Sequence, residues 1–255
     1  MRARLLLALV TVLSVPSAGL SQSFPHKLNI GSLSTWNQVR TTGSDSRSDA
    51  FSKDMIPKVM DIASNLLQSG KAFGDRHHFR LDQDKLYTSS RTPYPVRVYF
   101  IAEGAGYQNS IGLSLNYAGA TSGGDMRLVF PNASMPVQGV DFRSGNFGTR
   151  KSDAPLLPGD YVEIGEIPAG VQLDFFIVQD GNRVRDAWVF GNRDDQNPDR
   201  FQHVISYVIP DSPFLLVGFE DLWMGGDMDY EDVLIVVDLG KENVENLIDA
   251  SKLPN

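Results

Sequence analysis

The sequence predicts a mainly β protein: an antiparallel β-sandwich or jelly roll with one N-terminal helix and a short C-terminal helix. Three observations predict it. Eight short runs rich in branched and aromatic residues lie between Tyr94 and Leu239. Turn formers separate them, from a chain total of 23 Gly and 14 Pro in 255 residues. No helical pattern interrupts the runs, which argues against a parallel α/β sheet.

The chain begins Met-Arg-Ala-Arg, followed by the apolar run Leu5 to Leu13 and then Pro16, Ser17, Ala18 and Gly19. A basic start, a short apolar stretch and small residues describe a secretory signal peptide over 1–21, with cleavage between Ala18 and Ser23. The run is too short for a permanent membrane span. Residues 22–92 read as an N-terminal arm and helix. Trp36 is the arm's one large anchor. Asp54 to Gln68 is the helix, with Pro57 in its first turn and Val59, Ile62, Ala63, Leu66 and Leu67 on one face toward the sheet. His77 and His78 are adjacent, but no further ligands stand at a zinc spacing, so they read as polar surface.

Residues 93–240 form the sandwich. Val96, Val98 and Phe100 alternate with Arg97, Tyr99 and Ile101, and Ile111, Leu113, Leu115 and Tyr117 alternate with small or polar residues. The remaining strands are Arg127 to Phe130, Tyr161 to Ile167, Val171 to Val178, Val204 to Ile209, Phe214 to Phe219 and Val233 to Leu239. Asp186 to Gln202 reads as a long polar turn. The tail, 241–255, holds a short helix over Glu242 to Lys252 with Val244, Leu247 and Ile248 inward.

Charge narrows the partners. Without Arg2 and Arg4 the 23 basic residues become 21 against 31 acidic ones, a net charge of −10. That balance argues against nucleic acid or anionic membrane. The mature chain has no apolar segment long enough to span a membrane. There is no cysteine, so an exported chain must hold its loops without disulfides, and a bound metal is one way.

The segment Gly218 to Asp232 carries the densest chemistry. Six of the thirteen residues from Glu220 to Asp232 are carboxylates: Glu220, Asp221, Asp227, Asp229, Glu231 and Asp232. No Lys or Arg occurs between Arg200 and Lys241. Two like charges about 4 Å apart repel by roughly 4 kcal/mol at an effective dielectric near 20. A turn joining two strands that crowds such charges calls for water, protons or a cation. Calcium takes six to eight oxygens with loose geometry, and Asp227, Asp229 and Glu231 have the 1-3-5 spacing of a calcium loop. It is not an EF-hand, because Asp232 stands where that loop needs Gly and a strand follows. The competing reading is a solvated acidic tip. The expected ligands are Asp227, Asp229 and Asp232, with Glu220, Asp221 and Glu231 beside them and Glu103 and Asn109 from another turn. Trp223, Tyr230 and Trp188 read either as stacking faces for a sugar or as packing over the hairpin end.

These residues also carry a resemblance. Gly218-Phe-Glu-Asp-Leu and Gly226-Asp-Met-Asp-Tyr-Glu-Asp232-Val resemble the signature of the domain-of-unknown-function family 4114: G-F-E-D, a glycine-bearing gap, then D-x-D-[YF]-N-D-[VL]. Glu103-Gly-Ala-Gly-Tyr-Gln-Asn-Ser-Ile-Gly112, Leu157 to Gly165, Phe175 to Gly181 and His203-Val are similar to further pieces of it. Glu231 departs from the pattern's Asn, as does Asp180. The resemblance implies bacterial export, a β fold, and adhesin-like or calcium-associated neighbours. It implies no reaction. Two functions follow. One is an exported, non-catalytic, calcium-stabilised module that binds a cell-surface or matrix glycan or protein, acting in the periplasm, at the cell surface or beyond it. The other is a glycan-active hydrolase on the same frame, which needs two opposed carboxylates in a cleft. The chain has no G-x-S-x-G, H-E-x-x-H or P-loop motif.

Overall fold

The computed structural model describes residues 24–67, 80–117, 124–134, 140–141, 146–147 and 156–251. The expected signal peptide over 1–21 and His77 and His78 lie outside the described residues. The described residues form twelve strands: β1 (Lys27–Leu28), β2 (Tyr94–Glu103), β3 (Ser110–Tyr117), β4 (Asp125–Phe130), β5 (Val140–Asp141), β6 (Asn146–Phe147), β7 (Tyr161–Ile167), β8 (Val171–Val178), β9 (Ala187–Gly191), β10 (Val204–Val208), β11 (Phe214–Phe219) and β12 (Val233–Asp238). Two five-stranded antiparallel sheets face each other, ordered β1-β9-β8-β3-β4 and β10-β11-β12-β2-β7, and β5 and β6 form a small separate ribbon. All eight strands read from the sequence are present.

The second sheet is covered on both sides. Phe100 of β2 meets Phe130 of the opposite sheet edge to face at 6.0 Å, while its neighbour Tyr99 stacks on Phe51 of the helix at 3.8 Å. Alternation therefore separates two buried faces rather than core from water. This is why β10, β11 and β12 read as nearly unbroken apolar runs.

The helix starts earlier than Asp54. Asp45 caps α1 (Ser46–Ala50) in a reciprocal capping box with Ser48, and the chain runs on through one π turn, Phe51–Met55, into α2 (Ile56–Leu66). Pro57 cannot donate within the helix, and the wider turn before it, with Ile56 N–H bonding to Phe51, absorbs that defect. Of the predicted stripe Val59, Ala63 and Leu67 are buried and Ile62 packs partly against the core, and Ile56, outside the stripe, is buried with them. The terminal helix α3 (Lys241–Ser251) buries Val244 and Leu247, with Ile248 packed partly against the core.

The long polar turn is corrected in part. Within Asp186 to Gln202, Ala187–Gly191 is strand β9, pairing with β8 from Phe176↔Gly191 to Val178↔Val189. Five residues between charged flanks carry little periodic signal, and the pairing is decided by the neighbouring strand. No helix among the described residues is long and apolar enough to cross a membrane.

One consequence of this topology positions the site. β12 pairs with β2 along its whole length, from Val233↔Glu103 to Asp238↔Arg97. The β11–β12 turn, which holds the carboxylates, therefore sits at the Glu103 end of this pair.

Candidate metal centre

Glu220 leaves β11 through a fixed backbone. Its N–H donates to the His203 carbonyl at 2.9 Å, and His203 Nδ1 donates to the Glu220 carbonyl at 2.8 Å. The imidazole is fully buried, stacks on Phe190 at 3.9 Å and reaches Asp199 Oδ2 at 2.9 Å. Asp199 in turn accepts from Met224 N and Phe201 N, at 2.8 and 3.0 Å. Burial pushes this carboxyl up, but these hydrogen bonds outweigh burial and hold it below the usual carboxylate range. His203 and Asp199 thus tie the start of the acidic turn to its tip. Sequence reading noted His203 only as part of the family resemblance. A buried polar side chain opening an apolar strand was the available signal.

The turn itself is tightly wound. Met224, Gly225, Gly226, Met228 and Tyr230 all have positive φ, between 47° and 77°. Gly226 is required twice over, since at φ 47° a Cβ would lie 2.3 Å from Glu220 Oε1. Gly218 admits the returning chain, because a Cβ there would lie 2.6 Å from the Tyr230 carbonyl oxygen. The result brings residues eleven positions apart into contact: Asp221 N donates to Asp232 Oδ2 at 2.7 Å.

The carboxylates meet in two groups that share Glu220. Glu220, Asp221 and Asp232 each place an oxygen within 4.8 Å of the others, and so do Glu220, Asp227 and Asp229. Oxygens bound to one calcium at 2.3–2.6 Å lie at most about 5 Å apart. Glu220 is only 1% exposed. Its Oε1 accepts a weak bond from Leu222 N at 3.3 Å, and its Oε2 receives none from the described residues. No lysine or arginine forms an ion pair with Glu220, Asp221, Glu231 or Asp232 among the described residues. Burial, and then the Asp232 charge, push the Glu220 and Asp221 carboxyls well up. Burial is also the first cause of the upward shifts of Asp232 and Glu231. An ionised carboxylate in such a place needs a partner.

The residues expected from the sequence divide as follows. Asp227, Asp229 and Asp232 do not form one group of three; Glu220 links them instead. Glu231 is exposed and outside both groups, its backbone N–H donating to Asp229 Oδ1 at 3.0 Å. Glu103 is also outside them, but its charge adds to the push on Asp221. Asn109 is fully buried and acts as a strut: its amide donates to Asp221 Oδ2 at 2.6 Å, and its oxygen accepts from Asp180 N at 3.0 Å. Asn109 thus orients the Asp221 carboxylate, and its oxygen holds Asp180 N.

The aromatic residues divide too. Tyr230 is 4% exposed, with its hydroxyl on the Gln202 carbonyl. Trp188 is half-buried under Lys27 Nζ, 4.3 Å from the ring centre. Trp223 is 42% exposed and set edge to face against Trp188 at 4.8 Å. Leu222 and Met224 beside it are exposed as well.

Residues 167–240 match the model of a family described as Domain of unknown function (DUF4114). No curated protein and no solved structure matches the chain. The matched segment runs from the end of β7 past β12 and contains every carboxylate of the two groups, leaving Glu103 and Asn109 as the contributions from outside it. The part of the chain that resembles this family is therefore the part that builds the acidic centre.

Proposed function

We propose that this chain is an exported, non-catalytic β module whose acidic turn binds calcium and is stabilised by it outside the cytoplasm, where the module binds an extracellular partner. The observation that carries the reading is Glu220: a buried carboxylate with one oxygen that receives no hydrogen bond from the described residues, shared by two groups of carboxylates at calcium-ligand spacing. A solvated tip would turn these oxygens outward, whereas Glu220, Asp221 and Asp229 are buried. The leader-like start, Met1 to Gly19, supports an extracellular setting, where calcium is plentiful.

Calcium would be held by Glu220 with Asp221 and Asp232, or with Asp227 and Asp229. The ion would supply the positive charge that no described lysine or arginine brings to Glu220, Asp221 or Asp232. A site of about 10⁻⁴–10⁻³ M affinity, usual for extracellular modules, suffices. At a hundredfold excess over its dissociation constant an ion adds roughly 2.7 kcal/mol. The hydrolase reading needs two opposed carboxylates in a cleft, and the cleft described below is lined by one, Asp194.

Thermal unfolding of the mature chain in millimolar calcium and in excess chelator tests the proposal. Calcium should raise Tm by about 5–10 °C, from roughly 2–4 °C per kcal/mol in a domain of this size. Magnesium should raise it less, since it demands octahedral geometry. Superimposable curves in calcium and chelator would remove the ion from the account.

A further inference from the structure

The loop that crowds the carboxylates has a second side. Asp227 and Asp229 turn to Glu220, while Met228 and Tyr230, which alternate with them, line a cleft of about 320 Å³. That volume lies within the range of about 300–1,000 Å³ for small-molecule sites. Arg80 and Arg200 also line it. In a chain of formal net charge −8, two guanidinium groups at one cleft are a local reversal of sign. Arg200 is exposed at φ 58° and forms no ion pair among the described residues. Arg80 is held by a backbone bridge to Tyr207 and donates through Nη2 to Gln202 Oε1.

The remaining lining is mixed in a specific way. Asp194 and Gln202 offer hydrogen-bonding groups suited to hydroxyls, and Phe201, with Met228 and Tyr230, offers apolar surface. The Phe201 ring is fixed against the acidic turn, since a Cβ on Gly225 would lie 2.2 Å from its Cε1. A planar anion beside hydroxyls and an apolar ring face is the chemistry of a sugar acid. Arginine is suited to the carboxylate because its fork matches two oxygens at once.

We propose that this cleft binds a carboxylate-bearing sugar, with Arg200 and Arg80 on the carboxylate, Asp194 and Gln202 on hydroxyls, and Phe201 and Met228 against the ring. The ion on the other side of the loop keeps the Met228–Tyr230 wall in place. This second clause rests on the calcium reading; the first stands on the cleft alone. An acidic sugar would thus be bound by a strongly acidic protein at its one described cleft bearing two arginines.

The test is an NMR titration of the mature chain with the methyl glycosides of glucuronate, galacturonate and mannuronate. Methyl glucoside and acetate serve as controls for the ring and the carboxylate. Each is measured in calcium and in chelator, on wild type and Arg200→Gln, with Tm recorded alongside. At least one uronide should bind tenfold tighter than either control. Arg200→Gln should weaken it at least tenfold and leave the calcium shift in Tm unchanged, and chelator should weaken it several-fold. Equal binding of glucoside or acetate overturns the sugar-acid assignment. So does failure of all three uronides, or undiminished binding by Arg200→Gln, even where calcium still raises Tm. Binding that persists in chelator overturns the coupling and retains the cleft, whereas loss of the Tm shift alone overturns the ion.

Discussion

The two ends of the β2–β12 strand pair solve the same electrostatic problem differently. At one end Arg97 grips Asp45 with two bonds, at 3.0 and 2.7 Å, and reaches Glu163 at 2.6 Å. Arg47 pairs with Asp238 at 2.6 Å, and Tyr94 hydroxyl donates to the same carboxylate at 3.0 Å. At the other end Glu220, Asp221 and Asp232 crowd together, and none of them is paired with a lysine or arginine among the described residues. The Arg97 end carries its own counter-charge and tethers the helix segment to the sheet. The Glu220 end leaves the counter-charge to be supplied. On the calcium proposal, stability at the first end is built in and at the second depends on the ion.

Breaking the self-sufficient end should have the largest effect. Arg97→Ala takes the ion pair from Glu163 and leaves Asp45 with only Ser48 N–H and the Tyr161 hydroxyl, and removing one partner of a well-formed buried pair costs about 3–5 kcal/mol. Both acids are about a third exposed, so the low end, about 3 kcal/mol, is expected. The loss should be equal in calcium and in chelator. A calcium-dependent loss would mean that the two ends are not independent.

Gly226→Ala sharpens the other end. A side chain there is strained at φ 47° and meets Glu220 Oε1, so about 1–3 kcal/mol should be lost. Calcium titration by calorimetry should show weaker binding as well. Unchanged affinity would show that Glu220 is not pinned by this contact.

Glu220→Gln separates the two ends most cleanly. It should abolish most of the calcium shift in Tm while leaving Tm in chelator close to unchanged, because burial already pushes the ion-free Glu220 carboxyl up to about 9, so the amide replaces a neutral acid at neutral pH. A variant that melts far lower in chelator than wild type would contradict an uncompensated Glu220.

Acid should act through the Arg97 end. Arg97 first, against the opposing effect of burial, and then Ser48 N–H and the Tyr161 hydroxyl hold the Asp45 carboxyl far below its usual range. A lowered folded value means the native state binds fewer protons, so this stabilisation is complete above the unfolded value near 3.9. It is lost as pH falls through the folded value. Denaturant melts between pH 5 and pH 2 should show that loss in wild type and a flatter profile in Arg97→Ala. The smallest effect is expected from Trp223→Ala, about 1 kcal/mol, because the residue is 42% exposed at the surface. A larger loss would show that the Trp223–Trp188 contact closes the hairpin end.

The strands were legible because period-two runs such as Val96–Val98–Phe100 and the apolar blocks of β11 and β12 are long and bounded by turn residues. β9 was not, since Ala187 to Gly191 is short and its strand character comes from pairing with β8. The helix start was displaced because Pro57 marks a helix beginning, and only the packing of Phe51 on Tyr99 carries the helix back through a π turn to Asp45. The acidic turn was legible as a concentration of charge. The order within it was not, because its 1-3-5 spacing assumes a regular loop, whereas five positive φ angles fold this one back on Glu220.

Composition and pattern alone determined that this is a β protein with a charge-crowded turn between two buried strands, because hydrophobic period and charge count are properties of adjacent residues. Tertiary structure decided that Glu220 is the hub, that Asn109 is a strut, and that Arg80 and Arg200 share a cleft with Tyr230. Those outcomes depend on which chain segments meet in space. They are set by strand register and by glycines such as Gly218 and Gly226, whose missing side chains let the segments approach.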